Sequence, residues 1–312
     1  MAESPKIAYV FPGQGSQNVG MGLDLYNNYS SARGVFDEAD ATLGCPLSRL
    51  CFEGPEEELT KTNNVQPAVL ATSVACFRAA QQVSNKNLPS PSFVAGHSLG
   101  EYTALVAADV LSLADAVSLV RERGRLMYEA GQKNPGSMLA IIGLDKEAVE
   151  DICFHSKTEI SNVNCPGQIV ISGTLDALSE ASNLAKTKGA RHPIPLKVSG
   201  AFHSALMEPI MSEFGKVLSS FVFHPPAIPI IANVTAEPLV DVKSIKEELL
   251  KQLRYCIQWQ RSIEYMVRSG VSTFYEIGPG KVLSGLIRRI SAQVQTFNVS
   301  DITTLPNLAI IP

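Results

Sequence analysis

The chain has little charge and almost no excess of either sign. Asp, Glu, Lys and Arg make up 18% of its 312 residues, and 26 basic against 30 acidic side chains leave a formal net charge of −4. Nothing in that balance resembles the basic footprint that follows a phosphate backbone, so nucleic acid is not an expected partner. Long apolar runs are missing too. Hydrophobic residues reach 45% of the chain, yet no stretch of 18 forms a membrane span, and the apolar segment 7–11 is too short for the core of a signal peptide. The expectation is a cytoplasmic, globular, soluble protein with no membrane partner. The six cysteines, Cys45, Cys51, Cys76, Cys153, Cys165 and Cys256, include no C-x-x-C pair. Neither a disulfide framework nor a zinc ribbon is implied, and a chain of this length buries enough core to need no covalent staple. Internal repeats and low-complexity segments are likewise absent.

The most informative stretch that is present is Phe93-Val94-Ala95-Gly96-His97-Ser98-Leu99-Gly100-Glu101-Tyr102. A short apolar strand runs into a Gly-x-Ser-x-Gly turn and then into an Ala/Leu/Val-rich helix, the pattern of a nucleophile elbow. The three-residue signature alone arises by accident in about one chain in ten of this length, so the strand–turn–helix context carries the reading. In that context Gly96 and Gly100 leave room for an abrupt turn, and Ser98 sits at its tip at positive φ. The following helix directs free N–H groups and its positive dipole end toward any charge that develops there.

A second glycine-rich loop, Pro12-Gly13-Gln14-Gly15-Ser16, follows an apolar run at 7–11 that reads as a first buried strand. Helical patterns at 68–82 and 113–130 surround the elbow, and a Pro-Glu-Glu-Glu segment at 55–58 suits the first turn of another helix. After Lys133-Asn134-Pro135-Gly136 the pattern changes to strand 138–144, helix 146–154, strands 159–164 and 168–173, helix 175–188 and strand 191–198. That β-α-β-β-α-β order is the split-βαβ, ferredoxin-like signature. The chain then resumes with a strand at 230–234, a helix at 242–255 and a last core strand at 273–277. The expected fold is α/β: a large α/β-hydrolase-like domain built from 1–133 and 199–312 around a mostly parallel sheet, with a small ferredoxin-like domain inserted at 134–198. Sites in such sheets lie at the carboxyl ends of the strands, where both glycine-rich loops fall.

A serine hydroxyl needs a base within hydrogen-bond reach, usually a histidine. His97 directly precedes Ser98 and projects away from it, while His155, His192 and His224 sit in contexts typical of surface or packing histidines. His203, in Val198-Ser199-Gly200-Ala201-Phe202-His203-Ser204, occupies a small-residue loop between the inserted domain and the next helix and can face a cleft. The run Arg121-Glu122-Arg123-Gly124-Arg125 places three arginines on one amphipathic helix. By themselves these read first as a solvated face with Glu122 as counter-charge, and only second as anion ligands.

Four segments occur in one order: Phe11-Pro12-Gly13-Gln14-Gly15-Ser16-Gln17, Gly96-His97-Ser98-Leu99-Gly100-Glu101-Tyr102, Gly200-Ala201-Phe202-His203-Ser204 and Glu276-Ile277-Gly278-Pro279-Gly280. In this the chain resembles, over nearly its whole length, the malonyl-CoA:acyl carrier protein transacylases, and it is similar to polyketide-synthase acyltransferase domains. The resemblance implies transfer of a malonyl group from malonyl-CoA to the phosphopantetheine thiol of acyl carrier protein by a ping-pong route, with no metal or redox cofactor. It makes Ser98 the acylated nucleophile and His203 its base, oriented by a backbone carbonyl assigned to Gln258, with the N–H groups of Gln14 and Leu99 as the oxyanion hole. Arg123 matches the residue that binds the malonate carboxylate. Met127 and Gly124 are then expected to line the acyl pocket, and Phe202 to select malonyl over branched acyl groups. Asn164, in Asn162-Val163-Asn164-Cys165-Pro166-Gly167, fits either a cleft-facing loop that contacts substrate or a simple turn. The acidity of carrier proteins makes Lys186, Lys188, Arg191, Lys281, Arg288 and Arg289 candidate docking cations on a protein expected to be a monomer. A trans-acting acyltransferase of polyketide synthesis is the near alternative; a serine thioesterase or esterase, and a non-catalytic carrier-binding module, are the distant ones.

Overall fold

The structure, a computed structural model, describes residues 6–84 and 88–308; the chain ends included in the two outer segments expected above lie outside these residues. Two sheets organise the described chain. The larger runs in the order β10 (Gln295–Val299), β9 (Val271–Ile277), β1 (Lys6–Phe11), β2 (Phe93–Gly96), β7 (Ile230–Ile231) and β8 (Pro238–Leu239), parallel throughout except where β8 pairs antiparallel with β7. The smaller runs β4 (Glu159–Cys165), β5 (Gln168–Thr174), β3 (Gly136–Ile142) and β6 (Ile194–Pro195), all antiparallel.

Alternation of side chains builds the large sheet's two cores. From β1, Ile7, Tyr9 and Phe11 point into a layer with the helices Thr62–Val83 and Leu113–Lys133, whereas Ala8 and Val10 point into one with the helices Trp259–Arg268 and Val282–Ile290. Burial of such large side chains contributes about 1.5–3 kcal/mol each, and with both faces covered the strands read as continuous apolar runs, as parallel strands do. The small sheet packs Leu139, Ile141, Ile169 and Ile171 against the helices Lys146–Ser156 and Leu175–Thr187. Its strand order has the split-βαβ topology that the sequence pattern predicts. β4 of the small sheet is tied to the segment before the helix Trp259–Arg268: Val163 donates from its amide to the Ile257 carbonyl (2.9 Å) and Ile257 to the Ser161 carbonyl (2.9 Å).

Several expected boundaries shift. The helix expected at 68–82 spans Thr62–Val83 with Pro67 inside it. Proline removes the N–H that would serve the carbonyl of Asn63, four residues back; Arg121 supplies the replacement, donating from Nη1 to that carbonyl at 2.7 Å. The strand expected at 191–198 shrinks to Ile194–Pro195, and that at 230–234 to Ile230–Ile231. The segment at 273–277 is not the last strand, because Gln295–Val299 adds parallel to its outer edge. The helix expected to run to 255 ends at Gln252.

Candidate active site

The elbow forms as the sequence predicts. Ser98 adopts φ 51 between β2 and the helix Gly100–Ala107. A Cβ on Gly96 would fall 1.8 Å from the Gly100 carbonyl carbon, and one on Gly100 would fall 2.1 Å from the Phe11 carbonyl oxygen, so neither position accepts a side chain. Gly13 approaches as closely: a Cβ there would lie 2.4 Å from the His97 carbonyl oxygen. The loops after β1 and β2 are therefore in direct contact. Asn233, just beyond β7 and 1% exposed, holds the turn from the other side. Its Oδ1 accepts from the Ser98 amide (2.7 Å) and its Nδ2 donates to the Gly96 carbonyl (2.7 Å), so the carboxamide acts as a peptide unit spanning the bend.

His203, also at positive φ (56), meets Ser98 across the cleft: Ser98 Oγ lies 2.9 Å from His203 Nε2. His203 Nδ1 lies 2.5 Å from the backbone carbonyl of Gln252. A carbonyl can only accept, so Nδ1 carries the proton and Nε2 offers its lone pair to the serine hydroxyl. The orienting carbonyl is thus Gln252, not Gln258. Gln258 caps the helix Trp259–Arg268 and its carbonyl accepts from the Ser262 amide at 3.0 Å, while Gln252 ends the helix Val242–Gln252, where the last carbonyls have no partner within the helix. Burial pushes the His203 imidazole down to about 3, with the Arg123 guanidinium second in effect. The base is therefore neutral across ordinary pH. As pH falls from 7 to 5 the rate of enzyme acylation is expected to hold rather than halve near 6.5, the ordinary histidine value. Quench-flow kcat/KM profiles with malonyl-CoA check this, and an acid limb at 6.5 contradicts it.

The structure separates the three arginines. Arg125 is half-buried and pairs with Glu122, Glu129 and Glu213. Arg121 serves the proline gap. Arg123 is 1% exposed and turns into the site: Nη2 donates to Ser98 Oγ (3.1 Å) and Gln252 Oε1 (2.8 Å), Nη1 donates to Gln66 Oε1 (2.7 Å), and the guanidinium lies 5.3 Å from the Tyr102 ring centroid. Among the described residues no carboxylate pairs with it directly. A buried cation without a counter-charge is costly, and this one borders an open cavity.

That cavity, of about 450 Å³, falls in the range typical of small-molecule sites. Gln14, Ser98, Leu99, Arg123, Met127, Asn164, Phe202 and His203 all line it. The amides of Gln14 and Leu99 have no hydrogen-bond partner among the described residues. Asn164 lies at the end of β4 rather than in a loop, and its Oδ1 meets His97 Nε2 at 2.9 Å. His97 packs edge-on against Trp259, a structural neighbour of the elbow rather than its base. Gly124 is not part of the lining; it packs against the helix Thr62–Val83, where a Cβ would lie 2.6 Å from the Thr62 carbonyl oxygen. Sequence reasoning missed Gln66, Asn233 and Gln252. None of the three carried a local signal, Asn233 falling inside the strand expected at 230–234. Among the described residues no group of three or more His, Cys, Asp or Glu is set to hold a metal ion, and no helix is long and apolar enough to cross a membrane.

A sequence model of the acyl transferase domain matches residues 8–309. The chain belongs to the acyl transferase domain family. It is 47% identical over 305 residues to the malonyl CoA-acyl carrier protein transacylase of Bacillus subtilis, covering 96% of this chain and 95% of that protein. Its fold superposes with a TM-score of 0.93 on an acyl carrier protein S-malonyltransferase from Vibrio cholerae, 43% identical, over 97% of this chain and 99% of that one. A malonyl-transacylase solved in complex with a type II polyketide acyl carrier protein gives 0.94 at 40% identity, over 97% and 98%. The chain is accordingly an acyltransferase enzyme, with the α/β architecture and small antiparallel sheet the sequence implied.

Proposed function

We propose that this acyltransferase moves a malonyl group from malonyl-CoA to the phosphopantetheine thiol of acyl carrier protein through a malonyl-serine intermediate, in supply of fatty-acid synthesis. The observation that carries the reading is the contact between Arg123 and Ser98 Oγ (3.1 Å), a buried unpaired guanidinium beside a serine held by a neutral base. Ser98 Oγ forms a bond to the thioester carbonyl carbon while its proton passes to His203 Nε2. The negative charge on the carbonyl oxygen is met by the Gln14 and Leu99 amides. Collapse breaks the C–S bond, and His203 returns the proton to the departing CoA sulfur. The carrier thiol then attacks the serine ester and the steps run in reverse. The malonate carboxylate takes two N–H groups of the Arg123 guanidinium, the planar match that a lysine does not provide. Phe202 and Met127 bound the acyl group, and Asn164 borders the channel for the pantetheine arm. A thioester is reactive enough that the route needs no cofactor.

The carrier is proposed to dock at the cavity mouth, where Lys281 and Arg289 are exposed and Arg289 donates to Gln168 Oε1 and the Pro166 carbonyl. Lys188 already pairs with Asp151 and Arg288 with Thr296; Lys186 and Arg191 are exposed on the small-sheet side. The reading takes the small sheet and its helices, 134–198, as an inserted domain of a monomeric cytoplasmic enzyme. A polyketide carrier as acceptor is the second reading, supported by the complex named above. Intact-protein mass after mixing with malonyl-CoA is expected to show one malonyl adduct that discharges onto added holo carrier protein. Rapid release of free malonate with no discharge contradicts transfer in favour of hydrolysis, and comparison of fatty-acid and polyketide carriers separates the two acceptors.

A further inference from the structure

One fully buried acid has no part in these steps. Glu101, in the first turn of the helix after the elbow, is 0% exposed, and both its oxygens accept: Oε1 from the Asn233 amide (3.0 Å) and Oε2 from Gln252 Nε2 (2.5 Å). The same Gln252 side chain donates to the Ser98 carbonyl (2.9 Å) and accepts from Arg123 Nη2 (2.8 Å). A guanidinium only donates and a backbone carbonyl only accepts. The Gln252 amide can therefore turn only its oxygen to Arg123 and its nitrogen to Ser98, which leaves one N–H for Glu101. Residue 252 thus touches the nucleophile's backbone, the selectivity cation and, through its own carbonyl, the base.

We propose that Glu101 is a positioning residue for acyl selectivity, fixing through the Gln252 amide the oxygen that Arg123 needs and completing an amide-bridged pair with that unpaired guanidinium. The proposal rests on the malonyl-transfer reading. Glutamine in place of Glu101 keeps the shape but replaces one acceptor by a donor. It then faces either the Asn233 amide or Gln252 Nε2 donor to donor, and relief by flipping the Gln252 amide turns an N–H toward Arg123. Either arrangement misplaces the guanidinium.

The test is the ratio of kcat/KM for malonyl-CoA to that for acetyl-CoA in wild type, Glu101→Gln, Glu101→Asp and the exchange Glu101→Gln with Gln252→Glu. Loss of a hydrogen bond to a charged group predicts a malonyl-to-acetyl ratio lower by about tenfold or more in Glu101→Gln, with malonyl KM raised. Aspartate keeps both acceptors and restores most of the ratio. In the exchange, the carboxylate introduced by Gln252→Glu accepts from Arg123 and from the carboxamide introduced by Glu101→Gln, whose oxygen in turn accepts from the Asn233 amide, but the Ser98 carbonyl loses the donor it has in wild type and faces a carboxylate oxygen, so thermal stability recovers only in part. The ratio stays low there because Arg123 now has a resident carboxylate. A Glu101→Gln enzyme with the wild-type ratio overturns the proposal, as does an equal fall for both substrates, an exchange variant that regains malonyl preference, or failure of all three variants to fold, any of which assigns Glu101 to the scaffold alone. Wild-type enzyme that forms no malonyl adduct fails the transfer reading instead.

Discussion

Ser98→Ala is expected to abolish the malonyl adduct and lower transfer to carrier protein by on the order of 10⁴-fold or more, the scale seen when a nucleophile that works as one unit with its base is removed. His203→Ala should cost nearly as much, and the double variant little more than either single one, because each removes the same step. The structure gives the reason. Ser98 Oγ has one proton acceptor, His203 Nε2 at 2.9 Å, and its other close contact, Arg123 Nη2, is a donor. With His203 replaced by alanine the hydroxyl keeps its position, held by the Asn233 grip on the elbow, but has no base. Intact mass and steady-state transfer on all three variants check this, and a double variant much slower than both singles contradicts it.

Arg123→Ala is expected to lower kcat/KM for malonyl-CoA by about 10²–10³-fold, the equivalent of two charge-assisted hydrogen bonds, while acetyl-CoA falls far less. Preference for malonyl then disappears or reverses. Arg123→Lys keeps the charge without the planar pair of donors and should recover only part of the loss. Parallel acylation kinetics with both thioesters decide the matter: equal losses make Arg123 a structural cation. Removal also strips the donor from the Gln66 and Gln252 side-chain oxygens, so a lower melting temperature accompanies the change.

The elbow was legible because its information is local. Gly96 and Gly100 are each demanded by backbone contacts within a few residues or by one neighbouring strand, they bracket Ser98 at fixed spacing, and the split-βαβ pattern is likewise a run of short-range periodicities. Arg123 was distinguishable from Arg121 and Arg125 only by resemblance, since the three share one helix and their fates depend on what packs against each. One meets a proline gap on a neighbouring helix, one meets the nucleophile and one meets three glutamates. The orienting carbonyl was missed for a related reason. Gln252 and Gln258 lie six residues apart, and the resemblance assigns the role to Gln258, whereas the carbonyl that meets His203 is that of Gln252, the last residue of its helix. Backbone acceptors carry no side-chain signature, so a sequence marks them only through the helix ends that leave them free. Gln66 and Glu101 act across helix interfaces, and spacing along the chain says nothing of such pairs.

Because the guanidinium of Arg123 touches the serine oxygen itself, the site measures length from the point of bond formation. A carboxylate one methylene beyond the ester carbonyl falls within reach of that cation, whereas each further methylene carries it past. The same contact that holds the hydroxyl is expected to make the site a short ruler for diacids, with succinyl-CoA a poorer acyl donor than malonyl-CoA.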